Sequence, residues 1–232
     1  MSSIVIQSYR EYDVPVWMQL CMNSVRRLCE LRNWDYKFEG DEFLYRTPQE
    51  LWCSNLWATT DFSRLVWLRE CLYTYDVAIW FDADVYVFRP SLLNTETING
   101  YAFAHELLSY KYHSINNAVM IFEKRAIPIL DMYISKAREA FATADSDRTA
   151  LGPTLLRQES NLLHGIGLFT ANMMVSIANG DLYPLHAYES QTGNTLSCAN
   201  LCHFMRDKTK PSARFLFDEM YKTAIENLGA IS

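Results

Sequence analysis

The stretch VAIWFDADVYVF, residues 77–88, decides the fold. Residues 77–81 are apolar without alternation, the pattern of a strand buried on both faces, as in a parallel sheet with helices above and below. The run ends in two aspartates, Asp82 and Asp84, separated by Ala83, and apolar sequence resumes at Val85. In an extended segment alternate side chains share a face, so both carboxylates are expected on one side. Two such charges repel unless a cation lies near them. Open α/β sheets bind ligands beyond the carboxyl ends of their strands. Hard divalent cations there take oxygen ligands and bridge to substrate phosphates. The reading is a metal–diphosphate site for Mn²⁺ or Mg²⁺, and the plainer alternative is a turn carrying two solvated aspartates.

Working outward, the spacing of apolar residues predicts further strands over residues 4–8, 35–38, 86–88, 101–104 and 118–122. Helices are expected over residues 14–33 and 127–142, and from Pro48 on, carrying Leu51, Trp52 and Leu56. A longer amphipathic helix is expected from Phe62 to Tyr75. The later chain is less regular, with turn marks at Gly152-Pro153, Gly165, Gly167, Asn179-Gly180 and Gly193. No repeat or linker divides it. Strands alternating with helices favour one α/β domain over residues 1–232.

Half of the 232 residues are hydrophobic, which suffices for a substantial core. The formal net charge of −6 argues against a general nucleic-acid binder, which carries a basic face. The amino-terminal residues MSSIVIQSYREY enter a strand-like run with no basic leader. No apolar run reaches the roughly 18 residues of a membrane span. The expectation is a soluble, cytoplasmic protein without a transmembrane segment. Its six cysteines are then reduced, most of them small hydrophobes in helical patterns. Cys198, Cys202 and His203 raise the question of structural zinc, but no second ligand pair accompanies them.

Residues 62–88, FSRLVWLRECLYTYDVAIWFDADVYVF, resemble the core of the GT-A glycosyltransferases. They are most similar to the retaining families that include glycogenin and the lipopolysaccharide galactosyltransferases. In those families an arginine opens a helix and a hydrophobic strand then ends in Asp-x-Asp. Asp61 and Arg64 also supply the Asp-x-x-Arg spacing of the capsular-polysaccharide and mannosyltransferase group. That group usually has a shorter interval to Asp-x-Asp and a Gly-Gly before the strand, where this chain has Asp76-Val77. INNAVMIF, residues 115–122, resembles the Asn-x-Gly-hydrophobic segment of the glycogenin-like families, with Ala118 in place of glycine. CHFMRDKTKP, residues 202–211, is similar to their late His…Lys-Pro segment, with Ser212 where a tryptophan usually follows. RQESNLL, residues 157–163, is similar to their Asp-Gln…Leu-Asn helix with an arginine in place of the aspartate. GPTLL at 152–156 and LYPLHAY at 182–188 resemble the mannosyltransferase-type group instead.

The resemblance implies a GT-A fold, Rossmann-like, with a mixed and mostly parallel sheet flanked by helices. It implies a nucleotide-sugar-binding part over residues 1–125. Residues 126–232 then form the acceptor part and close the metal and diphosphate site. The donor would be a nucleotide-diphosphate sugar and the acceptor a glycan, a lipid-linked or a protein hydroxyl, with retention of configuration. His203 would complete a metal site with Asp82 and Asp84, and its imidazole suits Mn²⁺ better than Mg²⁺. Lys210 would touch the diphosphate as a point charge, unless it is one solvated member of the run with Arg206, Asp207 and Lys208. Asp61 would contact sugar hydroxyls. Arg64 can bridge a diphosphate or hold a carboxylate, while the plainer reading of the pair is a helical surface ion pair. Ser8 and Tyr9 follow the first strand, where base and ribose sit in this fold. Asn117 and Gln158 are candidates for lining the sugar face.

Three rivals share these residues. A haloacid-dehalogenase-type phosphatase also uses Asp-x-Asp after a strand, but Tyr86 stands where its threonine or valine belongs. A nucleotidyltransferase binds metal on paired aspartates and releases pyrophosphate. The third is a carbohydrate-binding protein on a decayed transferase fold; loss of Asp82 or Asp84 would suggest such decay, and both are present.

Overall fold

The computed structural model describes residues 1–52, 55–97, 99–109, 112–141, 144, 150–158, 175–177 and 197–200. His203 and Lys210 lie outside these residues, as does most of the segment after 158.

The chain opens with two strand–helix–strand units. Strand β1 (Ser3–Ser8) leads into helix α1 (Val16–Arg32) and strand β2 (Asp35–Glu39). Buried Met18, Cys21, Met22, Val25, Leu28 and Cys29 recur at helical spacing along α1. The helix stops at Asn33, which adopts the left-handed conformation at φ 53°. After β2, a 3-10 turn at Asp41–Arg46 precedes helix α2 (Leu56–Cys71) and strand β3 (Val77–Phe81).

Here the expected helix boundaries change. Pro48 precedes a single 3-10 turn, Gln49–Leu51, and not a helix reaching Leu56. Trp52 is extended, and its indole N–H donates to the carbonyl of Thr47 at 2.9 Å. Asn55 then caps α2, its side chain accepting from the N–H of Trp57 at 3.1 Å. Helix α2 is also more enclosed than an amphipathic surface helix. Phe62, Ser63, Arg64, Leu65, Trp67 and Leu68 are all buried.

Beyond β3 come β4 (Val85–Val87), β5 (Tyr101–Ser109), β6 (Tyr112–Glu123), α3 (Ile127–Ala140), α4 (Pro153–Gln158), β7 (Val175–Ile177) and β8 (Cys198–Asn200). The sheet order is β2-β1-β3-β6-β5-β7-β8-β4. Four neighbouring pairs are parallel and three antiparallel. The sheet is mixed where it matters most: β3 is parallel to β1 but antiparallel to β6.

Alternation sorts the strand residues between two cores. Val5, Ile79, Phe81, Val119 and Ile121 pack with Val25, Leu28 and Cys29 of α1. Ile4, Ile6, Ala78, Trp80, Met120 and Phe122 pack with α2 and α3. The second core is aromatic: Phe43 lies 5.7 Å from Trp67 and 5.5 Å from Trp80, centroid to centroid. Cys21, Cys29, Cys71 and Cys198 are buried free thiols, and burial raises the pKa of each. Among the described residues no helix is long and apolar enough to cross a membrane.

Candidate active site

The parallel strands β2, β1 and β3 end at one edge of the sheet, and the Asp-Ala-Asp sequence begins there. β1 and β3 are in register from Ser3↔Val77 to Ile6↔Trp80, which brings Gln7 and Ser8 beside the end of β3. On the other side Phe81 pairs with Val119 of β6. The N–H of Asp82 continues the ladder, donating to the carbonyl of Ala118 at 2.7 Å. The antiparallel β6 thus enters at the same edge and delivers Asn117 next to Asp82.

Extended backbone ends at Asp82. The N–H of Val85 donates to the carbonyl of Asp82 at 3.1 Å, closing a tight turn over residues 82–85. The two aspartates therefore do not share a face by strand alternation. Asp82, like Trp80, points to the α2 side. Asp84 lies round the turn, where its charge adds to burial in raising the pKa of Cys21 on α1. The sequence alternative of a turn describes the backbone, but Asp82 is not simply solvated.

Arg64, only 3% exposed, organises the α2 side. Its Nη1 donates to Oδ1 of Asp82 at 2.8 Å and to the carbonyl of Asn117 at 3.2 Å. Its Nη2 pairs with Oδ1 of Asp61, one helical turn earlier. The indole N–H of Trp80 also donates to Oδ1 of Asp82, at 2.6 Å. This is not a surface ion pair: the side chains of Arg64 and Asp61 are 4% and 13% exposed. Burial lowers the pKa of Arg64, but Asp61 and Asp82 more than offset that, so its guanidinium stays charged. Asp61 responds the other way. Burial pushes it up to about 6, against the opposing pull of Arg64 and with help from the Asp82 charge. Two carboxylates around one guanidinium leave the cluster acidic.

The roof of the cluster comes from the start of α4. A Cβ on buried Gly152 would stand 2.5 Å from Nδ2 of Asn117 and 2.8 Å from Oδ2 of Asp61. The backbone can approach the acid and the amide this closely only because residue 152 has no side chain. The hydroxyl of Tyr133 on α3 holds this segment, donating to the carbonyl of Leu151 at 2.9 Å. Asn117 is 5% exposed, and among the described residues its Nδ2 has no hydrogen-bond partner of good geometry. The Nε of Arg64 is likewise buried and without one among the described residues.

The remaining predicted residues fall as follows. Ser8 ends β1, its hydroxyl donating to the carbonyl of Gly40 at 3.4 Å. Tyr9 is half-buried and packs into a small cluster with Met18, Met22 and Ala83, so it reaches the turn between the two aspartates. Gln158 is exposed at the last position of α4. Among the described residues no group of three His, Cys, Asp or Glu side chains is placed to hold a metal, and the third expected ligand, His203, lies outside them.

Sequence reading passed over Trp80, Gly152, Tyr133 and Gln7. Trp80 carried a signal, standing two residues before Asp82 on the same strand face. Gln7 carried another, a carboxamide directly after the apolar residues of β1. Gly152 was marked only as a turn and as part of the GPTLL segment, and Tyr133 carried no signal, because their roles at the site depend on a contact between α3 and the start of α4.

No family model matches the sequence, and no curated protein matches it. Among solved structures, the chain is similar to a glycosyltransferase involved in the glycosylation of the major capsid of PBCV-1. The identity is 16% and the TM-score 0.56, over 88% of this chain and 97% of that one. It is also similar to mouse xyloside xylosyltransferase 1 in its apo form, at 9% identity and a TM-score of 0.48, over 86% and 97% of the two chains. The first of these likenesses establishes the fold. The mixed sheet flanked by helices is a GT-A-like glycosyltransferase architecture.

Proposed function

We propose that the protein is a metal-dependent glycosyltransferase. It moves a sugar from a nucleotide-diphosphate donor to a hydroxyl of a glycan, lipid-linked or protein acceptor, with retention of configuration. The observation that carries this reading is the Asp61–Arg64–Asp82 cluster, built round the buried Arg64 guanidinium at the carboxyl edge of the parallel strands. That edge is where open α/β sheets bind their ligands.

The donor set fits a hard divalent cation. Asp82 and Asp84 offer oxygen ligands. Asp82 is already aimed, because Arg64 and Trp80 both hold Oδ1 and neither takes Oδ2. Asp82 and Asp84, with His203, would hold Mn²⁺ or Mg²⁺, which stabilises the negative charge growing on the departing diphosphate.

The chain's own residues do the rest. Arg64 orients Asp82, with Nη1 and Nη2 both committed to carboxylates. Asp61, ionised above about pH 6, accepts hydrogen bonds from sugar hydroxyls. Nδ2 of Asn117, beside it, donates to the same sugar. Ser8 and Tyr9 meet the base and ribose, and Lys210 neutralises the diphosphate. Residues 126–232, including Gln158, shape the acceptor side.

The experiment is a thermal-shift panel of UDP- and GDP-sugars with and without Mn²⁺. A ligand that binds the native state raises its apparent stability. At least one sugar nucleotide should raise Tm in the presence of Mn²⁺ and less so in its absence. No shift with any of them contradicts the reading.

A further inference from the structure

Strand β1 runs Ser3–Ser8, and directly after its apolar residues Ile4-Val5-Ile6 stands Gln7, 0% exposed. A buried carboxamide is destabilising unless both ends find partners. Both do. The hydroxyl of Tyr36 on β2 donates to Oε1 of Gln7 at 3.0 Å. Nε2 of Gln7 donates to the backbone carbonyl of Asp82 at 3.2 Å. The assignment of the two amide atoms follows from chemistry: the Asp82 carbonyl can only accept, so the nitrogen must face it. Burial raises the pKa of Tyr36, so its hydroxyl stays a donor.

The carbonyl that Gln7 grips is the one that closes the turn, since it also accepts the N–H of Val85. The peptide of Asp82 is therefore held at three points: by Ala118 through its N–H, and by Gln7 and Val85 through its carbonyl. Gln7 reaches it from the α1 side of the sheet, the side of Val5. Arg64 and Trp80 hold the carboxylate from the opposite side. Asp82 is clamped by three buried side chains, Gln7 from one face and Arg64 and Trp80 from the other.

We propose that Gln7 is a positioning residue for the Asp82-Ala83-Asp84 turn. By fixing the carbonyl that closes the turn, it sets where the Asp84 carboxylate stands relative to Asp82. The proposal rests on the reading of these two aspartates as cation ligands, but its first test does not. Outer partners that orient metal ligands typically change affinity by about 10–100-fold when removed.

The test uses the full chain and the variants Gln7→Met, near-isosteric without hydrogen-bonding groups, and Tyr36→Phe, which keeps the Gln7 donor. Backbone amide exchange at Val85 is compared with exchange at Ile79 and Ile121 in the sheet interior. Binding of Mn²⁺ alone is titrated by the loss of its free EPR signal. Gln7→Met should speed exchange at Val85 by about tenfold with the sheet interior unchanged, and weaken Mn²⁺ binding by about tenfold. Tyr36→Phe should do less of both. Unchanged exchange at Val85 in Gln7→Met overturns the proposal. So does faster exchange at Val85, Ile79 and Ile121 alike, which marks a merely structural role. If Gln7→Met does not fold, Gln7→Asn keeps the carboxamide but shortens its reach, and it carries the same expectations. A wild-type chain that binds no Mn²⁺, while Val85 still loosens in the variant, contradicts the metal reading and supports the role of Gln7.

Discussion

Nη1 of Arg64 lies 2.8 Å from Oδ1 of Asp82, joining the third turn of α2 to the first residue of the Asp-Ala-Asp turn. The same guanidinium holds Asp61 through Nη2. Three residues distant in role are thus one electrostatic unit, and the consequences can be measured.

Removing the cation of this unit leaves two partly buried carboxylates together without their shared partner. Arg64→Ala should destabilise the fold by about 3–5 kcal/mol, the usual cost of stranding a buried charge. The double variant Asp61→Asn/Arg64→Ala should recover part of that loss. Urea denaturation of the three proteins checks both expectations, and equal stability of the single and double variants contradicts them.

The raised pKa of Asp61, about 6 against 3.8 for the free group, has a defined sign. The folded state binds the proton more tightly than the unfolded state. This contribution to stability is complete below about pH 3.8 and is lost as pH rises through about 6. Asp61→Asn removes the titration. The stability difference, wild type minus variant, should therefore fall between pH 4 and 6 and level off above. A difference that rises with pH in this window overturns the assignment.

Gly152 should tolerate no side chain. In Gly152→Ala the new Cβ meets Asn117 and Asp61 within 3 Å, at 2.5 and 2.8 Å. Overpacking of this kind costs about 1–3 kcal/mol. A greater effect is expected on turnover of the sugar nucleotide, because both displaced groups face the proposed sugar site. Wild-type turnover in this variant would show that Asp61 and Asn117 do not line it.

Much of this was legible in the sequence for a physical reason. Residues 77–81 had no polar face, which marked a strand covered on both sides, and β3 occupies those five residues. Apolar spacing also located α1 and α3 to within a few residues. The start of α2 was misjudged because Asn55, a capping residue, competes with Pro48 as a start signal, and the capping hydrogen bond decides. The partnership of Asp61 with Arg64 was legible because i, i+3 residues are neighbours on a helix. Its burial, and the junction to Asp82, were not, since they depend on how α2 packs against β3. The strand alternation expected of Asp82 and Asp84 failed because the backbone turns at Asp82, which the hydrogen bond from Val85 makes visible and the sequence does not.

The central claim is that Asp82 and Asp84 hold a divalent cation against a nucleotide-diphosphate sugar. The most direct test is release of nucleoside diphosphate from the sugar nucleotide that binds, measured with and without Mn²⁺ for the wild type and for Asp84→Ala. The account predicts Mn²⁺-dependent release by the wild type and loss of at least about 100-fold in the variant, the scale of removing one preorganised stabiliser of developing charge. Release by Asp84→Ala at the wild-type rate would contradict it.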